Sequence, residues 1–501
     1  MAHPDEDQEP AAAPGATSPR DALAALWLRI GGDADALRAV TLTGTEPALP
    51  SSFAVGTAAQ VSIAASTLAS AEIGRLRSGT TIQRVSVDMR HAAVEFRSER
   101  YLRVNGAPPP DPWDKIAGVY RCGDGGWVRL HTNFAHHRDG VLRLLGSAHE
   151  RADVQRALQA WAAADFESAA AEAGLVVAAL RSFDEWDAHP QGRAVAALPV
   201  LSIERIEPAG TGPPPEAMAP TAATEPVLNG LRVLDLTHVI AGPVAGRTLA
   251  AHGADVLSIT AAHLPSIETT VIDTGRGKRS AQLDLRTAEG HARLALLVQG
   301  ADVFLQGYRP GGLAGRGFGA SALAERRPGI VVASLSAYGH AGPWAMRRGF
   351  DSLVQSASGF NVAEGAAAGS AKPLPLPAQA LDHASGYLLA LGIQLALLRR
   401  ASEGGSWQVR VSLAQTGRWL RGLGRVAGGP VAHDPSFGDV AGLLEVSESG
   451  FGRLDAVRHA GMLGGRPTRW SLPAMPLGTH AAEWPEPGPG QGAVRSSARS
   501  G

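Results

Sequence analysis

Apolar residues along this chain fall into short continuous runs separated by polar loops, and stretches of helical period lie between the runs. Leu231-Arg-Val-Leu-Asp-Leu-Thr, Ala254-Asp-Val-Leu-Ser-Ile, Ala301-Asp-Val-Phe-Leu-Gln and Ile330-Val-Val-Ala-Ser-Leu each read as a short buried strand. The stretch 244–252 reads as a helix between the first two. Strands alternating with helices predict an α/β fold built on a doubly wound parallel sheet of Rossmann type. Ligands of such sheets bind at the carboxyl ends of the strands, so the loops 238–243, 306–311 and 336–343 are expected around one crevice.

The earlier part of the chain has a different rhythm. An Ala-rich apolar stretch predicts a long helix over 53–77, followed by a strand at 83–88. The run 118–130 reads as a hairpin turning at Asp124-Gly-Gly. Helical patterns dominate from there to 180. Proline-rich composition marks 207–227 as a linker, and 1–19 and 484–501 as loose ends. This divides the chain into a first body at 20–206 and a second at 228–483.

The two bodies share a short repeat. Gln83-Arg-Val-Ser-Val-Asp-Met-Arg matches Gln408-Val-Arg-Val-Ser-Leu-Ala-Gln, and each follows a glycine turn (Gly79; Gly404-Gly405) after an apolar helix. Thirty residues before Ser412 stands Asp382, at the mouth of the apolar helix. The same count from Ser86 reaches the 52–56 region, and no Asp or Glu lies between Glu46 and Glu72. One carboxylate-bearing helix start and one blank one therefore occupy the same chain.

Composition excludes several function classes. The net charge of −1 gives no field for nucleic acid or an anionic membrane. The basic residues are 43 Arg and three Lys, a bias of the kind a GC-rich genome produces. A single cysteine, Cys122, rules out an internal disulfide and fits a reducing, cytoplasmic setting. The acidic start of the sequence lacks a signal-like apolar core. The apolar run 386–398 is too short for a bilayer and suits a buried helix. No Gly-x-Gly-x-x-Gly or Walker loop and no zinc-spaced Cys/His motif is present, so no metal site is expected.

Several blocks in order resemble the class III CoA-transferases, the family of formyl-CoA and carnitine CoA-transferases. They are Leu228-Asn-Gly-Leu-Arg-Val-Leu-Asp-Leu-Thr-His-Val-Ile-Ala-Gly-Pro, Gly275-Arg-Gly-Lys-Arg-Ser-Ala-Gln-Leu-Asp-Leu, Tyr308-Arg-Pro-Gly, Ser336-Ala-Tyr-Gly-His-Ala-Gly-Pro and Gly349-Phe-Asp-Ser-Leu-Val-Gln-Ser-Ala-Ser-Gly. Asp382 follows where the family keeps its nucleophile. Residues 50–205 resemble the later part of the same family, through Gly118-Val-Tyr-Arg-Cys-Gly-Asp-Gly-Gly-Trp-Val and Arg181-Ser-Phe-Asp-Glu-Trp-Asp-Ala-His-Pro-Gln. The first body is then a partial family-like α/β body fused N-terminally, a rearranged tandem form without a nucleophile. The match is imperfect: Thr260 and Gly307 replace the family's usual Glu and Asn.

The resemblance implies an acyl-CoA:carboxylate CoA-transferase working through an aspartyl-CoA thioester on Asp382. It implies CoA-binding roles for His238, Val239, Ile240, Ala241, Arg276, Lys278, Arg279, Tyr308 and Gly359. The substrates would be a coenzyme A thioester and a small carboxylic acid, with no permanently bound cofactor. The assembly would be a homodimer or a monomer that mimics one. Spacing alone gives plainer readings: Asp382 as a helix N-cap, Lys278 and Arg279 on a solvated turn or paired with Asp284, and Asp235 as a strand-end turn residue. Two alternatives to transfer stand: an acyl-CoA racemase or isomerase, and a CoA-binding protein without turnover. A racemase of this type tends to carry His where this chain has Phe350, and a hydrocarbon ring cannot serve as a base.

Overall fold

The computed structural model describes residues 15–206, 218–222, 225–309 and 311–485. Its centre is a seven-stranded sheet made of β1 (Leu201–Arg205), β2 (Arg232–Leu236), β3 (Asp255–Thr260), β4 (Lys278–Gln282), β5 (Val303–Gln306), β6 (Val331–Ser336) and β7 (Trp407–Ser412). The spatial order is β4-β3-β2-β5-β6-β7-β1. Strands β2 to β7 run parallel, and β1 closes the edge antiparallel to β7. Strands such as β2 and β5 are buried nearly end to end, as covering both faces of a parallel sheet with helices requires. The order reverses between β2 and β5, so the crevice of a doubly wound sheet opens at their carboxyl ends.

Four helices set the site: α1 (Val55–Ser78), α2 (Ala241–Ala251), α3 (Asp351–Ala357) and α4 (Ala380–Glu403). The apolar run at 386–398 is the middle of α4. By length and composition α4 would cross a membrane, but 94% of its apolar window is buried inside the protein. It crosses α2 so closely that a Cβ on Gly386 would stand 2.6 Å from the carbonyl oxygen of Ala241. Only a glycine allows that approach.

The first part of the chain is woven into this framework. β1 belongs to it, and α1 lies against α4, where Gln394 donates to the Ser66 carbonyl at 3.1 Å and contacts the Ser70 hydroxyl. One apolar core runs from Ala22 through Val61 and Leu389 to Ala460. Residues beyond the sheet return the interleaving: 452–457 pairs with 103–104, and 462–463 pairs with 85–86. The expected hairpin forms between Gly118–Arg121 and Trp127–Leu130 and gains a third strand, Val177–Ala179.

Around α1 the chain repeats the local plan around α4. Val40–Thr43 and Val85–Asp88 are parallel neighbours joined through α1, as β6 and β7 are joined through a segment containing α4. Both helices have 24 residues, and the residues preceding them, Ala54 and Gln379, have φ −75° with ψ 59° and 61°. Of the expected linker 207–227, residues 207–217, 223 and 224 lie outside the described residues. So do residues 1–14 and 486–501 of the expected loose ends. The described remainder is in contact with the body: the Thr17 N–H donates to Leu423 O at 2.8 Å, and Trp484 Nε1 donates to Leu297 O at 2.9 Å.

Candidate active site

Asp382 is the third residue of α4 and is not its cap. The preceding Gln379 makes no side-chain cap bond. The free N–H groups of α4 are instead taken by Asp351, the first residue of α3: its Oδ2 accepts from Leu381 N at 2.8 Å and from Asp382 N at 2.9 Å. Gln355, one turn along α3, donates to the other oxygen of Asp351 and accepts from Leu376 N at 2.9 Å. The Asp382 carboxylate accepts no hydrogen bond among the described residues, although only 8% of the residue is exposed.

Two buried carboxylates this close perturb one another. Burial raises Asp351 to about 6, against the pull of the hydrogen bonds it receives. Asp382 is raised well above the usual carboxylate range, by burial first and then by the charges of Asp351 and Glu99. The positive end of α4 works the other way and favours the ionised form. The result is a weakly solvated, basic carboxylate, the form in which an acid group is a competent nucleophile. Its neighbour His383 is buried, with its Nε2 3.1 Å from Glu99 Oε2 and its ring 5.4 Å from that of Phe96.

Asp382 opens into a cavity of ≈ 360 Å³ at the switch point of the sheet. His238, Val239, Ile240 and Ala241 line it, as does Tyr308, whose hydroxyl stands 3.0 Å from His238 Nε2. Five of the nine residues assigned to CoA by resemblance are therefore brought together with Asp382. Val239 has φ 70°, a left-handed backbone that strains a β-branched residue. Such strain persists where the surroundings impose it and gathers at binding sites.

The other four do not reach this cavity. Lys278 is buried in an ion pair with Asp235 at 2.7 Å, and it also donates to Pro243 O at 2.7 Å. It borders a smaller neighbouring cavity of ≈ 60 Å³. Asp235 is thus a buried counter-charge as well as the expected strand-end turn residue, its other oxygen accepting from Thr237 N at 3.1 Å. Arg279 pairs with Asp255, and Asp284 pairs with Arg286, so the alternative partner expected for the two basic residues is also taken. Lys278 and Arg279 sit on β4, where a solvated turn was the plainer reading; backbone pairing with β3 makes a strand of a polar sequence. Arg276 is 3% exposed, pairs with Asp273 at 2.7 Å and lies 4.2 Å from the Trp470 ring centre. Gly359 has φ 101° and abuts Phe183, whose backbone nitrogen would lie 2.8 Å from an added Cβ. It serves packing between the two parts of the chain.

Residues that sequence reasoning missed complete the lining. Phe134, His136 and His137 come from the first part of the chain, and Arg309, Arg347, Arg348 and Phe350 from the second. Asp382 is the one carboxylate among the described lining residues. Arg309 and Phe350 lay inside quoted motif blocks, and Asp351 stood beside Phe350. Nothing in the sequence around 131–137 marks it as a cavity wall.

A parallel doubly wound sheet with a buried helix-start carboxylate at its switch point defines an α/β protein with a ligand crevice at the carboxyl ends of its strands. Residues 228–423 match the family model of CoA-transferase family III. It is similar to an acyl-CoA transferase of Gibberella moniliformis, 30% identical over 68% of this chain and 66% of the relative. It is also similar to a formyl-CoA:oxalate CoA-transferase of Streptomyces coelicolor, 32% identical over 45% of this chain and 58% of that protein. The crystal structure of Rv3272 from M. tuberculosis is 33% identical over 39% of this chain and 56% of that one, with a TM-score of 0.37. The chain thus spans between about half and two thirds of the length of these relatives.

Proposed function

We propose that this protein transfers CoA from an acyl-CoA thioester to a carboxylic acid, with Asp382 as the covalent carrier. The observation that carries the reading is a carboxylate released from helix capping and turned into a cavity otherwise free of acids. A carboxylate oxygen of Asp382 attacks the thioester carbonyl, forming a mixed anhydride and expelling CoA thiolate. The thiolate attacks the Asp382 carbonyl of the anhydride, which releases the free acid and leaves an aspartyl-CoA thioester. The acceptor carboxylate attacks that thioester, and the same two steps in reverse yield the new acyl-CoA and free Asp382. Charge is conserved at each step, so no general base is needed. Arg309, Arg347 and Arg348 along the lining favour anionic substrates.

The racemase reading loses support at Phe350, which lines the cavity where a second base would be needed. The nearest ring behind it, His131, is buried and held down to about 3 by loss of solvent. We further propose that the first part of the chain is a shortened second copy. The third residue of α1 is Thr57, in the place of Asp382, and its N–H donates to Glu46 at 2.6 Å, as Asp382 donates to Asp351. The copy keeps the carboxylate clamp and lacks the nucleophile, which gives one reactive site per chain.

The test is intact-mass analysis after incubation with an acyl-CoA, followed by peptide mapping. An acyl or CoA adduct on the peptide bearing Asp382, absent from Asp382→Asn, supports the reading. Undiminished transfer by that variant refutes it.

A further inference from the structure

One wall of the cavity is built of rings. Phe134 and Phe350, from the two parts of the chain, face each other at 6.0 Å between centroids and 51° between planes. His136 stacks on Phe134 at 6.0 Å and meets His137 at 4.0 Å. Behind Phe350, His131 stacks at 4.1 Å and 12°. This aromatic surface lines the same ≈ 360 Å³ cavity as Asp382, a volume in the range of roughly 300–1,000 Å³ used for organic ligands.

The imidazoles of this wall are uncharged at neutral pH. Burial brings His137 down to about 4, and it lowers His136 together with the nearby charge of Arg348. They present ring faces and edges rather than cations. A one- or two-carbon acid would leave this surface wet, whereas a flat ring meets it at the offset or edge-on distances that aromatic pairs prefer.

Resting on the transferase reading above, we propose that the acyl group exchanged on Asp382 belongs to an aryl- or arylalkyl-carboxylic acid, whose ring packs against Phe134 and Phe350. Phe134 is then a specificity-determining residue supplied by a part of the chain outside the matched family segment.

The experiment uses the full chain with acetyl-CoA as donor and acetate, succinate, hexanoate, benzoate or phenylacetate as acceptor, with CoA thioesters quantified by mass spectrometry (isotope-labelled acetate for the self-exchange). The expected result is a kcat/KM for one of the two aromatic acids about tenfold or more above that for hexanoate, with Phe134→Leu removing most of this preference. Preference for hexanoate or the small acids overturns the aromatic assignment while leaving transfer on Asp382 standing. So does an aromatic preference unchanged in Phe134→Leu. Absence of transfer to every acid, with no adduct on Asp382, overturns the transferase reading and this one with it.

Discussion

At the scale of single residues, the site turns on three carboxylates with unequal duties. Asp351 holds the backbone of α4, Glu99 pairs with His383, and Asp382 faces the cavity. Asp382→Asn is expected to cut transfer by on the order of 10³-fold or more in a thioester-exchange assay. The same substitution should raise the melting temperature at pH 7. A carboxyl raised by folding binds its proton more tightly in the native state, so it weakens the fold as pH rises from the unfolded value through the native one. The stabilisation should disappear well below the ordinary carboxylate value of 3.8, where both states are protonated, and scanning calorimetry at neutral and strongly acid pH checks it. Glu99→Gln removes one of the charges that raise Asp382. The acid limb of the kcat/KM–pH profile, where the active carboxylate is lost on protonation, should therefore move to lower pH. A limb that stays put would show that Glu99 does not act on Asp382. Sequence could single out Asp382 by spacing and resemblance, but not its clamp. Asp351 lies 31 residues away, and only the packing of α3 on α4 joins them.

At the scale of elements, α4 depends on its close crossing with α2. Gly386→Val should destabilise the protein by about 1–3 kcal/mol, because the new side chain meets the Ala241 carbonyl and Val244. Denaturant unfolding measures this, and a neutral result would mean that α2 yields easily. Strands β2, β3, β5 and β6 were legible because both faces of a parallel sheet are covered, and their apolar runs say so. β4 was not, since Lys278-Arg-Ser-Ala-Gln reads as polar and becomes a strand only beside β3, with Lys278 neutralised by Asp235. β1 was also hidden, because an edge strand contributed from before the linker carries no signal of which sheet it will join.

At the scale of the whole molecule, the composition shift at 207–227 suggested two bodies. It could not show that β1, α1 and the rings at 134–137 belong to the architecture of the second. Residues 225–485 expressed alone lack the edge strand, the helix against α4 and one cavity wall. They are expected to be insoluble or inactive in the exchange assay, and co-expression with residues 1–222 should restore transfer. An active isolated fragment would show that the catalytic half is self-sufficient. Hydrophobic pattern reports how much surface an element must cover, while the choice between covering it locally or with a distant segment depends on three-dimensional complementarity.

The clamp of Asp351 on α4 has a consequence for the catalytic cycle. A capping side chain that changed its covalent state would release the backbone it held, and the helix would fray at every turnover. On the proposed route the side chain that would carry the acyl group and then CoA has no part in closing the helix, since Asp351 closes it. Under that proposal each intermediate would form and decay without loss of the bonds that hold the start of α4, and the second substrate would meet the same helix end as the first.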